Sequence, residues 1–361
     1  MNTCHVKVPG KLFWAGEYAV TKSQQKALVA AVDAFLKLEI EASDQNEVFS
    51  DLAAERLTWS RTNAGKIVST SQGADKFDLI WEGIRLAEQY LQAKYPDLEL
   101  GSYRLRIKSQ LHDQEGHKYG LGSSGAVLVA CLWGILQAFS DIPESPSAAD
   151  RLKVFKLAAI AESRLKMKGS FGDLAAASYG GLLLYQNFDR TWFRRSKKTT
   201  GQDVLKLLDS DWPGLTIQSL AFPDDWAFYA FWVGQEASTE KLLKRQQTQL
   251  SQDFLDRSQE LVEALAQDLE KGDFPNFNRH LSANQDLIED QLQSQGSFYA
   301  SPALEEVVNS AREAGLAAKV SGAGQGDCAI AIAPNRFSGQ AFLEKAQTSG
   351  LKHLALDIYS I

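Results

Sequence analysis

A glycine-rich turn runs directly into an apolar segment near the middle of the chain. The turn is Lys118-Tyr-Gly-Leu-Gly-Ser-Ser-Gly125, and residues 126–139 after it are almost all apolar. Glycine lets a backbone turn tightly and bring its N–H groups close to a ligand. The apolar run predicts a buried helix, whose free N–H groups and positive dipole end would face the turn. We therefore predict that this turn binds phosphate, through Gly120, Leu121, Gly122, Ser123, Ser124 and Gly125.

Two other interpretations of this turn are open. Its glycines match G-x-G-x-x-G, the dinucleotide-binding pattern, which requires a strand directly before the turn and a second strand with an acidic end about 20 residues later. Here the polar residues 109–118 separate the turn from the strand-like segment 103–107, and a loop over 141–147 follows the helix. The simpler alternative is that glycine and serine only cap a core helix.

Two more glycine-rich segments lie far from the first along the chain. Near the N-terminus, Gly10-Lys11 precedes Gly16-Glu17-Tyr18, and near the other end stands Ser321-Gly-Ala-Gly-Gln-Gly-Asp-Cys328. Lys11 is suited to neutralise phosphate, although a lone lysine in a loop is commonly just solvated. The third segment indicates close approach of backbone to a ligand, with a simple glycine-rich hairpin as the alternative.

Asp173 is a single acid among small and apolar residues, after Gly172 and before a short helix predicted over 174–178. An aspartate in that place can cap the helix, because its carboxylate accepts backbone N–H groups. It can also face a pocket, and the two interpretations do not exclude each other.

The order of these segments resembles the three-motif signature of the GHMP small-molecule kinases, which comprise galactokinase, homoserine kinase, mevalonate kinase and phosphomevalonate kinase. The resemblance spans the whole chain. Within the group, the segments around Lys118, Asp173 and Glu17 are most similar to those of bacterial-type phosphomevalonate kinases. Mevalonate kinases usually carry histidine where Tyr18 stands here.

This resemblance implies an α+β fold of two lobes with a cleft between them. The N-terminal lobe, similar to a ribosomal protein, would cover 1–200, and the ferredoxin-like C-terminal lobe would cover 201–361. The implied reaction is ATP-dependent phosphorylation of (R)-5-phosphomevalonate to 5-diphosphomevalonate, in the mevalonate pathway of isoprenoid biosynthesis. Mevalonate kinase or another GHMP kinase is the alternative. A nicotinamide dehydrogenase that uses Gly120 to Gly125 comes third, and a catalytically dead binding or regulatory relative comes fourth. The implied cofactors are ATP and Mg²⁺.

The resemblance also implies a set of site residues. Lys11, Asp173 and Lys118 would act on the reacting groups. Ser123 or Ser124 would bind Mg²⁺ together with Glu162, although an exposed helix glutamate is the alternative for Glu162. The acceptor would contact the first and third segments through Lys11, Glu17, Tyr18, Ser321, Gly322, Ala323 and Gly324.

Phosphoryl transfer depends on charge neutralisation and alignment more than on covalent chemistry. A phosphomonoester acceptor has a second pKa of about 6, so its oxygen is already mostly ionised at neutral pH. Asp173 is then not needed as a general base. Because a carboxylate repels an anionic acceptor, we expect a screening ion pair between Lys11 and Asp173.

Composition narrows the class of protein. A net charge of −7 argues against a nucleic-acid partner. The cysteines, Cys4, Cys131 and Cys328, lie far apart, which indicates a reducing compartment and argues against structural zinc. No export signal and no apolar run long enough to span a membrane is visible. We therefore expect a cytoplasmic protein with no membrane partner, either a monomer or a homodimer.

Periodicity predicts the elements that must position these residues. We expect strands at 4–9, within 27–41, at 182–185, 226–233 and 329–333. We expect helices through Ile80 to Leu91, at 149–167, near 239–270, 276–293 and 302–314.

Overall fold

The computed structural model describes residues 1–51, 53, 55–62, 66–113, 115–196, 200–234 and 250–360. In this part of the chain the strands are β1 (Cys4–Ala15), β2 (Lys26–Ala42), β3 (Glu47–Ser50), β4 (Leu57–Thr58), β5 (Ser60–Arg61), β6 (Ile67–Val68), β7 (Tyr103–Ser109), β8 (Leu182–Gln186), β9 (Thr216–Leu220), β10 (Ala227–Trp232), β11 (Ala317–Ser321), β12 (Cys328–Ala333) and β13 (Lys352–Leu354).

The α-helices described are α1 (Asp78–Lys94), α2 (Ser123–Ala138), α3 (Ala148–Arg164), α4 (Gly172–Tyr179), α5 (Arg190–Arg195), α6 (Gly201–Asp209), α7 (Gln252–Lys271), α8 (Phe274–Gln293), α9 (Pro302–Glu313) and α10 (Arg336–Thr348). Short 3₁₀ helices occupy Ala19–Thr21 and Ala74–Phe77.

β2 is the centre of the first sheet. Its first residues pair with β8, its last residues pair with β7, and β1 lies antiparallel along it. The sheet order is β4-β3-β7-β2-β8-β9, with β1 added on β2. α2 and α4 pack on β1 and β2 of this sheet, and α1 and α3 pack on α2. α2 is therefore buried almost all round, as its uniform hydrophobicity predicts.

The second sheet is antiparallel, in the order β11-β12-β10-β13. Helices α8 and α9 pack on β11, and α10 packs on β10 and β12. The buried residues of α9 are apolar. The helix begins at Pro302, and the hydroxyl of Ser301 caps its N-terminus. The mixed α+β fold of two lobes is thus confirmed.

The lobes contact each other through aromatic packing and through the end of the chain. The Trp14 ring of β1 stacks on Phe228 of β10, with 5.4 Å between ring centroids. Ile358 bridges to Val32 of β2, so the C-terminal segment returns to the first sheet. These contacts fix the orientation of the two sheets around the space between them.

Several predicted elements differ from the structure in their bounds. The strand expected at 4–9 continues to Ala15 and carries Gly10 and Lys11 within it, because both pair with β2. Lys11 is therefore a strand residue and not a loop residue. The strands expected within 27–41 are the single strand β2. Of the helix expected near 239–270, residues 239–249 lie outside the described part, and α7 begins at Gln252.

The lobe boundary at residue 200 stays a prediction. β9 pairs with β8, so the first sheet continues through Leu220. Among the helices that the structure describes, none has the length and apolar character needed to cross a bilayer.

The buried helix α2 is the main support of the first lobe. Leu132 is fully buried there, so Leu132→Ala should lower the free energy of unfolding by about 2–5 kcal/mol, since the cavity left behind adds to the lost burial. Phe337 is 86% exposed on α10, and Phe337→Ala should change stability by less than about 0.5 kcal/mol. Urea denaturation of the full chain measures both values. Equal losses for the two variants would contradict this assignment of the core.

Candidate active site

A cavity of about 420 Å³ lies where three remote parts of the chain meet. They are the N-terminal segment (residues 10–18), the middle loop (residues 118–125) and the C-terminal loop (residues 321–327). The predicted site residues that line the cavity are Lys11, Glu17, Tyr18, Lys118, Gly120, Gly122, Ser123, Ser124, Glu162, Asp173, Gly322 and Ala323. The predicted convergence of the three segments is confirmed.

The remaining predicted site residues lie behind the cavity wall. Leu121, Gly125, Ser321 and Gly324 are all buried. The Leu121 carbonyl accepts the backbone N–H of Lys11 at 2.9 Å, so it joins the middle loop to β1. Gly324 packs against Tyr299, where a Cβ would lie 2.1 Å from the Tyr299 carbonyl oxygen. These residues shape the wall, and their predicted ligand contacts stay predictions.

The middle loop turns through two glycines in the left-handed region and leads into α2. Gly120 and Gly122 both have φ of +78°, and α2 begins at Ser123. A Cβ on Gly122 would lie 2.9 Å from Lys11 Cγ, and a Cβ on Gly125 would lie 2.6 Å from Asp173 Oδ2. Glycine is therefore required where the loop meets the charged side chains. The N-terminus of α2 borders the cavity and can bind an anion.

Lys11 is held by β1 and by the middle loop. Its Nζ donates to the Gly120 carbonyl at 2.9 Å. The expected ion pair with Asp173 is wrong in its geometry, because the Lys11 ammonium is hydrogen-bonded to that carbonyl instead of the carboxylate. Both side chains lie close to Gly122, and the charge of Lys11 opposes the rise that burial causes in the pKa of Asp173.

Two carboxylates border the same cavity. Glu162 lies near the end of α3 and is only 2% exposed, so it is not the exposed helix residue of the alternative interpretation. Asp173 is the second residue of α4 and Phe171 holds the N-cap position, so Asp173 is not the N-cap residue, although its carboxylate still accepts backbone N–H groups at the start of the helix. Burial raises the pKa of Glu162 well above its usual range, and the charge of Asp173 raises it further. Burial also raises the pKa of Asp173.

These carboxylates fit a bound divalent cation. Glu162 Oε2 is buried and has no hydrogen-bond partner among the described residues. Two neighbouring acids in a low-dielectric wall repel each other, and a cation between them removes that repulsion. Carboxylate and hydroxyl oxygens are the ligands that Mg²⁺ prefers, and Ser123 and Ser124 line the same cavity.

The C-terminal loop connects β11 to β12 and closes the other side. The Tyr18 hydroxyl donates to the Ala323 carbonyl at 2.6 Å. The Cys328 thiol donates to the Tyr119 carbonyl at 3.1 Å. Asp327 lies against the middle loop, since a Cβ on Gly120 would be 2.3 Å from Asp327 Cγ. The C-terminal loop therefore contacts both other segments.

The cavity has further lining residues that the sequence did not indicate. They are Phe13, Val20, Thr21, Met167, Lys168, Gly169, Ser170 and Asp327. The loop over 167–170 lies in the sequence between two predicted site residues, Glu162 and Asp173. This position could have indicated that the loop borders the site. Asp327 stands in the third glycine-rich motif, although its acidic side chain gave no reason to expect it beside phosphate.

The arrangement suits the binding of anions, because lysines and the N–H groups of a helix N-terminus border one cavity. The two carboxylates in the same cavity can bind a cation. This arrangement does not suit a dinucleotide-binding crossover. After α2 the chain passes through residues 141–147 into α3, so the second strand with an acidic end does not follow.

Both lobes match known kinase domains. The family description "GHMP kinases N terminal domain" matches residues 78–181, and "GHMP kinases C terminal" matches residues 263–352. Together with the fold and the cavity, these matches show that the chain belongs to the GHMP kinase family.

The similar proteins include phosphomevalonate kinases. One from Streptomyces sp. (strain CL190) is 32% identical over 344 residues, which cover 90% of this chain and 88% of the relative. A structure of Streptococcus pneumoniae phosphomevalonate kinase, in complex with phosphomevalonate and AMPPNP, has a TM-score of 0.85 at 27% identity, covering 99% of this chain and 100% of that one. The Lin0012 protein from Listeria innocua has a TM-score of 0.87 at 30% identity, covering 99% and 98%.

The buried carboxyl of Glu162 generates a prediction about stability and pH. Because its folded pKa is raised, its stabilising contribution is complete below the unfolded pKa of about 4.3 and is lost as pH rises through the folded pKa. In Glu162→Gln this side chain no longer titrates, so it causes no loss of stability as the pH rises. Without divalent metal we expect the variant to unfold at a higher temperature than the unmodified protein at neutral pH, with a difference that shrinks towards pH 4.

Thermal unfolding in a chelating buffer, followed from acidic to neutral pH, measures this difference. Glu306→Gln on the exposed face of α9 is the matched control and should show no such dependence. A neutral-pH unfolding temperature of Glu162→Gln at or below that of the unmodified protein would contradict the assignment.

Proposed function

We propose that this kinase transfers the γ-phosphate of ATP to phosphomevalonate and forms the diphosphate. The observation that carries the proposal is the meeting of the α2 N-terminus, Lys11 and the C-terminal loop around one cavity. The acceptor is supported by the phosphomevalonate kinase that is 32% identical to this chain. The nucleotide is supported by the AMPPNP complex of the pneumococcal relative.

The N-terminus of α2 would hold the nucleotide phosphates. Free N–H groups in the first turn of a helix donate to phosphate oxygens, and the helix dipole adds a positive potential. Lys11 lies beside this turn, and Lys118 lines the same cavity. Positive groups fixed in position stabilise the charge that develops on the transferred phosphoryl group.

Glu162 and the Ser123 or Ser124 hydroxyl are the residues that would hold Mg²⁺, with the carboxylate of Asp173 nearby. When bound, Mg²⁺ neutralises phosphate charge and aligns the nucleotide for transfer. The unpartnered oxygen of Glu162 and the closeness of the two acids support this assignment. Ser123 and Ser124 belong to the first turn of α2, next to the expected phosphates.

The acceptor would lie between Lys11 and the C-terminal loop. Its phosphate oxygen is already ionised at neutral pH, so the attack needs no proton transfer to Asp173. Burial raises the pKa of Asp173, whereas the charge of Lys11 opposes that rise and favours the charged form, which can orient a cation or the acceptor. We therefore assign orientation and charge balance, and not general-base catalysis, to Asp173.

The cellular setting is part of the same proposal. The cysteines in the described residues are all buried and free, which is consistent with the reducing cytoplasm. We propose a cytoplasmic enzyme, monomeric or homodimeric, whose partners are small molecules.

A substrate panel tests the proposed reaction. A coupled assay of ADP release, with ATP and Mg²⁺, compares phosphomevalonate, mevalonate, homoserine and galactose as acceptors. We expect turnover with phosphomevalonate and none above background with the other three. Turnover with mevalonate in preference would assign another member of the family, and no turnover with any acceptor would favour a catalytically dead relative.

The role of Asp173 generates a prediction about two variants. Lys11→Met removes a positive charge beside the transferred group and should lower kcat by about 10²–10³-fold, as loss of a stabilising donor does. Asp173→Asn keeps the shape of the side chain and should cost less, because an ionised acceptor needs no base. Steady-state kinetics with phosphomevalonate measures both values.

The opposite order would contradict this mechanism. A larger loss for Asp173→Asn than for Lys11→Met would argue for a hydroxyl acceptor with an obligatory base. Binding of ATP to each variant, measured by calorimetry, separates a loss of chemistry from a loss of nucleotide.

A further inference from the structure

A buried ion pair joins the two lobes at the wall of the cavity, which Glu17 lines. Lys319 of β11 is fully buried, and its Nζ donates to Glu17 Oε1 at 2.5 Å and to the Val320 carbonyl at 2.6 Å. Glu17 belongs to the N-terminal segment, 302 positions away along the chain. Burial lowers the pKa of Lys319, while Glu17 favours its charged form.

The same carboxylate contacts the backbone of the C-terminal loop. Glu17 Oε1 also accepts the backbone N–H of Gly322 at 3.3 Å. The Tyr299 hydroxyl lies between the Val320 carbonyl at 3.0 Å and the Gly322 carbonyl at 3.2 Å, which share its proton, and its oxygen accepts from Lys319 Nζ at 3.4 Å. Gly322 is therefore held on its amide side by Glu17 and on its carbonyl side by Tyr299. The next residue, Ala323, is held through its carbonyl by Tyr18.

Gly322 and Ala323 follow β11 directly in the C-terminal loop, and both line the cavity. Gly322 has a φ of +82° and is open to the cavity side, since a Cβ there would meet no atom within 4 Å. A glycine peptide with this freedom needs external contacts to keep one conformation. The Glu17–Lys319 pair and Tyr299 supply these contacts.

We propose that Glu17 and Lys319 are positioning residues that hold the Gly322–Ala323 backbone against the acceptor, and that Glu17 acts through this backbone instead of binding the acceptor directly. This differs from the substrate contact that the sequence predicts for Glu17. The identity of the acceptor rests on the proposed function, whereas the loop contacts do not.

Paired variants separate the two roles of Glu17. Glu17→Gln and Lys319→Met each break the ion pair, and the double variant leaves neither charge unpaired. If Glu17 acts by positioning, all three should raise KM for phosphomevalonate by about tenfold and leave KM for ATP within about twofold. The double variant should cost no more than the single variants, because coupled residues are not additive.

A matched control comes from a second ion pair between the same lobes. Lys26 of β2 and Glu263 of α7 pair at 2.6 Å, away from the residues that line the cavity. Lys26→Met should leave both KM values unchanged. Tyr18→Phe removes only the hydrogen bond to Ala323 and should reproduce a smaller rise in KM for the acceptor, even where a charge variant folds poorly.

Hydrogen exchange of the full chain without substrate gives a readout that does not depend on the acceptor. Peptides covering residues 321–328 should exchange at least severalfold faster in Glu17→Gln and Lys319→Met, and at the unmodified rate in Lys26→Met. If the substrate panel fails, this result still tests the positioning.

Two results would overturn the proposal. Unchanged exchange over 321–328 in both charge variants would show that the pair does not hold the loop. A rise in KM for the acceptor in Glu17→Gln but not in Lys319→Met would assign direct acceptor binding to Glu17.

Discussion

A fully buried ammonium group requires a counter-charge, because burial of an unpaired ion costs several kcal/mol or more. Lys319 finds that charge in Glu17 of the other lobe. Since Glu17 lies between Lys11 and the 3₁₀ helix at Ala19–Thr21, the pair fixes the N-terminal segment relative to β11. Further contacts add to this one, because the middle loop is hydrogen-bonded to Lys11 and the C-terminal loop to Tyr18.

The second constraint is negative charge. Glu162 and Asp173 already repel each other, and the proposed ligands add two groups of phosphate oxygens. Such a site needs cations and N–H donors that offset the negative charge of the acids and of the ligands. Lys11, the first turn of α2 and a divalent cation would meet that need. The raised pKa of Glu162 is thus a property of the protein without its cation, and binding of the cation should restore the charged form.

Local sequence patterns predicted much of this site. The glycines of the middle loop and the apolar run of α2 are adjacent in sequence, so spacing alone indicates a helix N-terminus with free donors. The convergence of Lys11, Asp173 and the C-terminal loop required the family resemblance, since no local pattern joins segments so far apart. The resemblance also gave Glu162, whose burial the helix periodicity did not reveal.

Other features depend on tertiary contacts that no pattern encodes. β1 runs through Gly10 and Lys11 because β2 is long enough to pair with both. The Lys11 ammonium binds the Gly120 carbonyl because the tight turn presents that oxygen next to it, which displaced the expected pair with Asp173. The Glu17–Lys319 pair joins side chains of opposite lobes, and a lysine in an apolar strand gives no indication of its partner.

The most direct test of the account is a crystal structure of this chain with phosphomevalonate and a non-hydrolysable ATP analogue. The account predicts the terminal nucleotide phosphates at the first turn of α2, and the acceptor phosphate between Lys11 and the Gly322–Ala323 backbone. An acceptor bound outside this cavity, or nucleotide phosphates away from residues 120–125, would contradict it.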